Sequence, residues 1–443
     1  MVAPQSRLIW TASASLPLAL LAAVTPAAGP ICLALAAGLV LIAAADAIAA
    51  GRNLNGIGIE LPAIARMSKD RKSPLGVRVR NEQSRQKQLR IALGLPLEVQ
   101  AEVDEVDVLL PGESVWSSLT WTCLPRKRGR YRVTAAYVEG RSFLGFWVTR
   151  REIPVQSEIR VYPNLLSERK RLAALFLNRS TVGLHAQRQI GKGRDFEKLR
   201  EYSPGDGFDE IHWKATARRA KPITKVFQIE RTQEVYVLID ASRLSSRLTQ
   251  PGVPDSSILE RLVTAALVLG MAAERQGDLF GLLSFTDKVE RFVRARNGKS
   301  HYNTCRDALY TLQPQTVTPD YDELFTFIRL RLRRRALVIC LTSLDDPSLA
   351  ESFAKSIELI RKQHLVLVNM VRQHQTAPLF TESVAESTDD LYRKLGGHLR
   401  WHKLRQLELV LQRRGVRLSQ VEHERLSVEL VSQYLNVKQR QLL

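Results

Sequence analysis

Two apolar runs open the chain, residues 8–25 (LIWTASASLPLALLAAVT) and 31–50 (ICLALAAGLVLIAAADAIAA). Each is close to the ~20 residues that cross a bilayer core, and their near lack of polar faces argues against two buried core helices. Pro26, Gly29 and Pro30 punctuate the gap. The pattern predicts a tight transmembrane hairpin, with Asp46 near one end of the second helix, where a carboxylate reaches the interface. From residue 57 to 163 the chain switches to short alternating segments: GVRVRN, LRIALGL, DEVDVLL, SSLTWTC, YRVTAAYVEG and IRVYP. With turn signals at Pro111-Gly112 and Arg128-Gly129, these read as an antiparallel, immunoglobulin-like β-sandwich. Pro74, Gly76 and Pro154 are expected between its strands.

From Glu234 onward strands and helices alternate. EVYVLID ends on Asp240, residues 258–275 form an apolar helix, LFGLLSF is a second strand, and residues 288–294 alternate as an edge strand. A helix over 321–335, the strand ALVICLTS, a helix over 347–362 and the strand HLVLVNMV continue the rhythm. This predicts a doubly wound, mostly parallel sheet. Ligands in such sheets sit at the carboxyl ends of the strands, here Asp240, Phe285 and Ser343.

The 443 residues suffice for two or three domains, and a net charge of +20 has an uneven origin. Arg7 and Asp46 are the only charged side chains in residues 1–50, whereas Arg52, Arg66, Lys69, Arg71 and Lys72 follow at once. The positive-inside rule puts these flanks in the cytoplasm. The expectation is a multi-pass protein of the inner or cytoplasmic membrane, with lipid as the hairpin's partner and the soluble domains on the cytoplasmic side. A cleaved signal peptide ending near Ala27 and Ala28 is the competing reading; it leaves the second run as a stop-transfer helix and the sidedness unchanged. Cys32, Cys123, Cys305 and Cys340 are isolated, which excludes a disulfide framework and a zinc module.

Residues 190–230 read IGKGRDFEKLREYSPGDGFDEIHWKATARRAKPITKVFQIE, without a period. Gly191 and Gly193 suggest a phosphate cradle, but no clear strand precedes them, Phe196 stands in place of a third glycine, and no GK[ST] is present. Asp206 and Asp209, with Glu201 and Glu210, are conceivable acid/base groups, with His212 as general base. Arg200, Lys214, Arg218 and Arg219 are close enough in sequence to neutralise those carboxylates, and such ion networks are usually structural.

The motif GxGRDFxxLRxYxPGDxxxxIxWKAxAR resembles the signature of domain-of-unknown-function family fifty-eight, membrane-anchored von Willebrand A-like proteins often associated with MoxR-type AAA+ ATPases. Gly191, Gly193, Phe196, Leu199, Arg200, Tyr202, Pro204, Gly205, Asp206, Ile211, Trp213, Lys214, Ala217 and Arg218 carry the match. RKRGRY at 126–131, VYP at 161–163 and YLNVK at 434–438 extend it. Pattern and resemblance together give two transmembrane helices over 1–52 and a β-sandwich module over 53–165, read from the pattern, then a signature segment over 166–232 and a domain over 233–443 with C-terminal helices that the resemblance makes von Willebrand A-like. It implies a non-enzymatic docking or chaperone-like role toward a MoxR-type ATPase or its client. Arg200, Tyr202, Gly205, Asp206, Trp213, Lys214 and Arg218 are the expected interaction residues.

The chemistry of that domain type is a Mg²⁺ held by an Asp-x-Ser-x-Ser loop with a Thr and an Asp from separate loops. Asp240 and Ser242 are present and Thr318 or Thr316 supplies the Thr, but Leu244 stands at the third position and Ser343 at the later Asp. Ser245, Asp345 and Asp346 lie one to three residues away. A hard cation wants about six oxygens, so the expectation is a degenerate metal-ion-dependent adhesion site that binds Mg²⁺ weakly or not at all. The alternative is a metal-free strand end, with Asp240 and Ser242 capping locally. His398 and His402, at i, i+4 without a third ligand, read as solvated or partly packed. The basic run Arg331, Arg333, Arg334 and Arg335 complements the end of a helix.

Three functions remain: the interaction subunit, a basic membrane-proximal binder of anionic lipid or nucleic acid, and a hydrolase. The charges are dispersed without aromatic interleaving, which disfavours nucleic acid. GxSxG, HExxH, P-loop and kinase motifs are missing, which disfavours hydrolysis.

Overall fold

The computed structural model describes residues 1–13, 15–17, 29–83, 86–181, 190–204, 207–228, 233–249, 257–373, 376, 378–379 and 387–440. The chain divides into two compact units, Met1–Asn164 and Leu165–Leu443.

In the first unit, a short strand β1 (Val2–Pro4) leads into α1 (Ser6–Ser13). Most of the first apolar run, and the expected hairpin turn, lie outside the described residues. The second run is α2 (Gly29–Gly51), with a mean hydropathy of 2.5 and most of its surface exposed. Strands β2 (Ile57–Glu60), β3 (Ile64–Ser68), β4 (Ser73–Asn81), β5 (Lys87–Leu93), β6 (Val99–Ala101), β7 (Glu105–Leu110), β8 (Trp116–Pro125), β9 (Gly129–Arg141) and β10 (Trp147–Tyr162) follow. They form one sheet in the order β1-β10-β9-β5-β7, with β3 parallel to β10, and a second in the order β2-β4-β8-β6. Alternation sets the inner faces: Leu75, Val77 and Val79 of β4 are buried and alternate with exposed Gly76, Arg78 and Arg80. They join Leu89, Ile91, Trp121, Val133, Val138 and Ile159 in one core.

Three residues expected in turns lie inside strands. Pro74 and Gly76 are in β4, where Pro74 is only the second residue. Pro154 is in β10, at a register shift against β9, where the ladder is already interrupted and a missing N–H costs little. The 126–131 motif explains itself locally. Arg128 is fully buried, Gly129 has φ +152°, and the Tyr131 hydroxyl donates to Lys127 O at 3.0 Å, closing the loop as a tyrosine corner does.

Asp46 does not reach toward an interface as expected. It is buried, because Ser142 Oγ donates to its Oδ2 at 2.6 Å and Leu144 N to its Oδ1 at 3.2 Å. The Trp147 indole N–H donates to Ala43 O at 2.8 Å, and Thr149 Oγ1 to Ala50 O at 2.8 Å. Ala43, Asp46 and Ala50, one face of the helix at i, i+3 and i+7, are thereby fixed to the β9–β10 hairpin. β1 pairs antiparallel with the same β10, Val2 opposite Thr149, and Gln5 N donates to Phe146 O at 2.8 Å.

The second unit opens with α3 (Leu166–Thr181), a two-stranded ribbon of β11 (Ile190–Glu201) and β12 (Ile223–Gln228), and between them the short α4 (Trp213–Arg219). The larger sheet is built from β13 (Glu234–Asp240), α5 (Ile258–Arg275), β14 (Leu279–Phe285), β15 (Val289–Arg296), α6 (Lys299–Leu309), α7 (Tyr321–Arg331), β16 (Leu337–Leu341), α8 (Pro347–Ser356), β17 (Leu365–Val371), α9 (Thr388–Arg413), β18 (Arg417–Val421) and α10 (Leu426–Gln439). Its order is β15-β14-β13-β16-β17-β18, parallel throughout except for the edge strand β15. Helices cover both faces. Val235, Val237 and Ile239 face a core with α5, α6 and α10, while Tyr236 and Leu238 face another with α7, α8 and α9. The alternation of a single buried strand thus serves two layers.

The YLNVK segment lies in α10 and ties that helix to the sheet. Asp278, just before β14, is buried; it accepts from the Tyr434 hydroxyl, from Lys438 Nζ at 2.8 Å and from Gln233 N at 3.1 Å. At the adjacent position, Gln433 and Asn369 exchange two amide hydrogen bonds at 3.0 and 3.1 Å.

Candidate functional site

Strand β13 is central; the chain leaves it toward β14 on one side and later returns to β16 on the other. The carboxyl ends of β13 and β16 therefore flank the point where the order reverses, the place where open α/β sheets form a crevice. Asp240 and Thr342 stand there, both buried. Thr342 Oγ1 donates to Asp240 Oδ2 at 2.5 Å, and the Tyr321 hydroxyl from the start of α7 lies 3.0 Å from Thr342 Oγ1. Asp240 Oδ1 accepts from Ser242 N at 2.8 Å. Burial raises the pKa of Asp240 above the ordinary Asp range, against the hydrogen bonds from Ser242 and Thr342.

Asp240 and Ser242 are brought together, in local capping geometry. Ser242 Oγ accepts from Leu244 N at 3.3 Å, closing a 3-10 turn at Arg243–Ser246. Leu244 is buried, and Ser245 Oγ donates to Ser242 O. Thr318 Oγ1 instead accepts from the Arg243 guanidinium at 3.2 Å. Asp345 accepts from Ser343 Oγ at 2.7 Å, from Arg247 at 3.2 Å and from Gln373; burial raises its pKa, opposed by those donors and by Arg400. Asp346 caps α8. In this arrangement both Asp240 oxygens already accept hydrogen bonds, and a guanidinium sits at Thr318. The donor set does not fit an octahedral Mg²⁺, which needs about six converging oxygens. Sequence reasoning did not nominate Thr342 or Tyr321 as partners of Asp240, for they approach it only through sheet topology.

The signature segment forms the second locus. Arg200 lies in β11 opposite Thr224 of β12. Tyr202 N donates to Pro222 O at 2.9 Å, and its ring centroid is 6.3 Å from that of Phe208. Gly205 and Asp206 lie outside the described residues. His212 Nδ1 accepts from Ala215 N at 3.1 Å, so this histidine is the N-cap of α4. Thr216 Oγ1 accepts from Ile223 N at 3.0 Å, pinning α4 to β12. Against this framework Trp213 is 68% exposed and Phe208 76% exposed, in the same short segment as exposed Lys214, Arg218 and Arg219. Aromatic side chains beside cations, left in solvent on a hydrogen-bonded frame, have the make-up of a protein-binding surface.

Residues 198–380 match the family described as protein of unknown function DUF58. An uncharacterized protein of Mycobacterium tuberculosis and one of Mycobacterium bovis are each 24% identical over 179 residues, 40% of this chain and 54% of theirs. The chain thus spans about half the length of the curated relatives it matches. Among solved structures, BatB from Bacteroides thetaiotaomicron is 15% identical with a TM-score of 0.28, covering 47% of this chain and 99% of that one. An aerotolerance-related membrane protein from Bacteroides fragilis is 14% identical with a TM-score of 0.27, covering 46% and 98%. Likenesses of this strength carry no argument about fold or function.

Proposed function

We propose that this chain is a non-enzymatic, membrane-anchored interaction subunit whose second unit, a von Willebrand A-like domain, docks a MoxR-type AAA+ ATPase or a protein under assembly. The observation that carries the reading is the exposure of Phe208 and Trp213 on the signature segment, before and at the start of α4, whose last turn is basic. Burying two such aromatics against a partner supplies the anchor residues a stable interface needs.

The anchor is α2, apolar and exposed along most of its length, with its last turns built into the first unit. The pairing of β1 with β10 supports a multi-pass arrangement. It holds the residues before the first apolar run and those after the second on one sheet, hence on one side of a membrane. The basic residues from Arg52 to Lys72 support a cytoplasmic side by the positive-inside rule. The test is recovery of an AAA+ ATPase with the detergent-extracted, full-length chain, and its loss on replacing Phe208 and Trp213.

A further inference from the structure

The hydrogen bonds that hold α2 to the β9–β10 hairpin begin at Ala43. Residues 29–42 rise only ~21 Å at ~1.5 Å per residue, well short of the ~30 Å hydrocarbon core. The described helix starts at Gly29, with Pro30 in its first turn, where a proline is tolerated. For α2 to span, the core must include the levels of Ala43 and Asp46, and with them the chain that touches these residues. That chain is the 142–147 turn. Its tip carries Phe143, 97% exposed, and Leu144, also exposed, which no water-facing turn requires. Ile48, one turn closer to the end of α2, is 67% exposed as well. Trp10 of α1 is exposed, and the neighbouring Arg7 packs over Gly145 in the same turn.

We propose that the 142–147 turn is a second membrane contact, with Phe143 and Leu144 inserted among the acyl chains beside α2. Trp147, whose indole bonds Ala43 O, enters with the turn; Trp10 sits at the headgroup level, where indoles collect, and exposed Arg7, Arg52 and Arg141 face anionic lipid phosphates. The turn has a second effect. By donating Ser142 Oγ and Leu144 N to Asp46, it shields from lipid the only carboxylate in the apolar helix. The unit is thereby held at a fixed depth and orientation on the bilayer rather than hanging from a free helix.

This rests on α2 being a membrane anchor, and the test separates the two statements. The photo-crosslinker p-benzoylphenylalanine is introduced singly at positions 42, 143 and 97 of the full-length protein. Each variant is placed in nanodiscs of phosphatidylethanolamine and phosphatidylglycerol with an alkyne-tagged phospholipid. Ile42 is an exposed position of α2. Leu97 is 95% exposed after β5, toward the opposite end of β9 from Ser142, since Leu89 pairs with Gly140 and Leu93 with Ala136. The expected result is a lipid adduct at 143 comparable to that at 42, and none at 97. Adducts at 42 but not at 143 overturn the proposed contact and leave the anchor standing. Adducts at neither overturn both, and equal adducts at all three positions overturn the proposed contact, since the control position far from the turn is labelled as well.

Discussion

Asp46 and Ser142, 96 residues apart in sequence, are joined by a 2.6 Å hydrogen bond that seats an apolar helix on a β-hairpin. The bond answers two questions at once: why a carboxylate stands in α2, and how the helix is fixed to the folded unit. Ser142→Ala removes the donor and leaves Asp46 Oδ2 buried without it. The expected cost is about 1–3 kcal/mol, read as a lower midpoint in thermal unfolding of the detergent-solubilised chain. Ser142→Thr, which keeps a hydroxyl, restores much of the loss.

The Asp240 carboxyl gives a signed pH dependence. Its pKa is raised above the ordinary value of 3.8, chiefly by burial. A raised folded value means that the stability it contributes is fully present below the unfolded pKa and lost as pH rises through the folded one. Asp240→Asn removes that loss while keeping an oxygen for Ser242 N. The midpoint of the Asn variant relative to the parent therefore increases as pH is taken from acid to neutral in parallel thermal melts. In the same melts, millimolar MgCl₂ leaves the parent and Asp240→Asn equally unaffected. A Mg²⁺-induced rise confined to the parent would restore a metal to this site.

At the other end of the sheet, Asp278 holds the last helix through Tyr434 and Lys438. Burial raises the tyrosine's pKa, with the nearby Asp278 carboxylate adding to the shift, so the hydroxyl remains a donor across the whole stable range. Asp278→Ala removes the acceptor of the buried Tyr434 hydroxyl and the ion-pair partner of the partly exposed Lys438, and costs about 1–3 kcal/mol. Tyr434→Phe costs about 1–3 kcal/mol. Because these two residues share one network, the double variant is expected to cost less than the two single losses combined, which chemical denaturation measures.

Much of the second unit was legible because its signals are local. The run EVYVLID and the helix beginning at Ile258 emerge as expected, since a buried strand and an apolar helix each declare themselves within a few residues. Ser242 as a local cap was legible for the same reason. The partners of Asp240 were not: Thr342 lies 102 residues away and reaches it only because β13 and β16 are neighbours. Likewise β1 is three residues with no period of its own, and only its pairing with β10 makes it a strand. The aperiodic signature gave no secondary structure in advance, because its ribbon and short helix are held by turn and cap bonds such as His212 to Ala215.

The central claim is that the exposed aromatics of the signature segment bind a partner ATPase. Trp213 and Phe208 contact solvent over most of their surface, so replacing both by alanine should move folding stability by no more than about 0.5 kcal/mol per site. If they anchor an interface, the same change weakens binding by about 2 kcal/mol or more, roughly 30-fold. The most direct measurement is affinity purification of full-length parent and Phe208→Ala/Trp213→Ala chains from detergent-extracted membranes, with ATP and Mg²⁺, quantified by mass spectrometry. The account predicts an AAA+ ATPase enriched with the parent and lost from the variant at equal yield and equal melting midpoint. Equal recovery with both chains, or no ATPase with the parent, would contradict it.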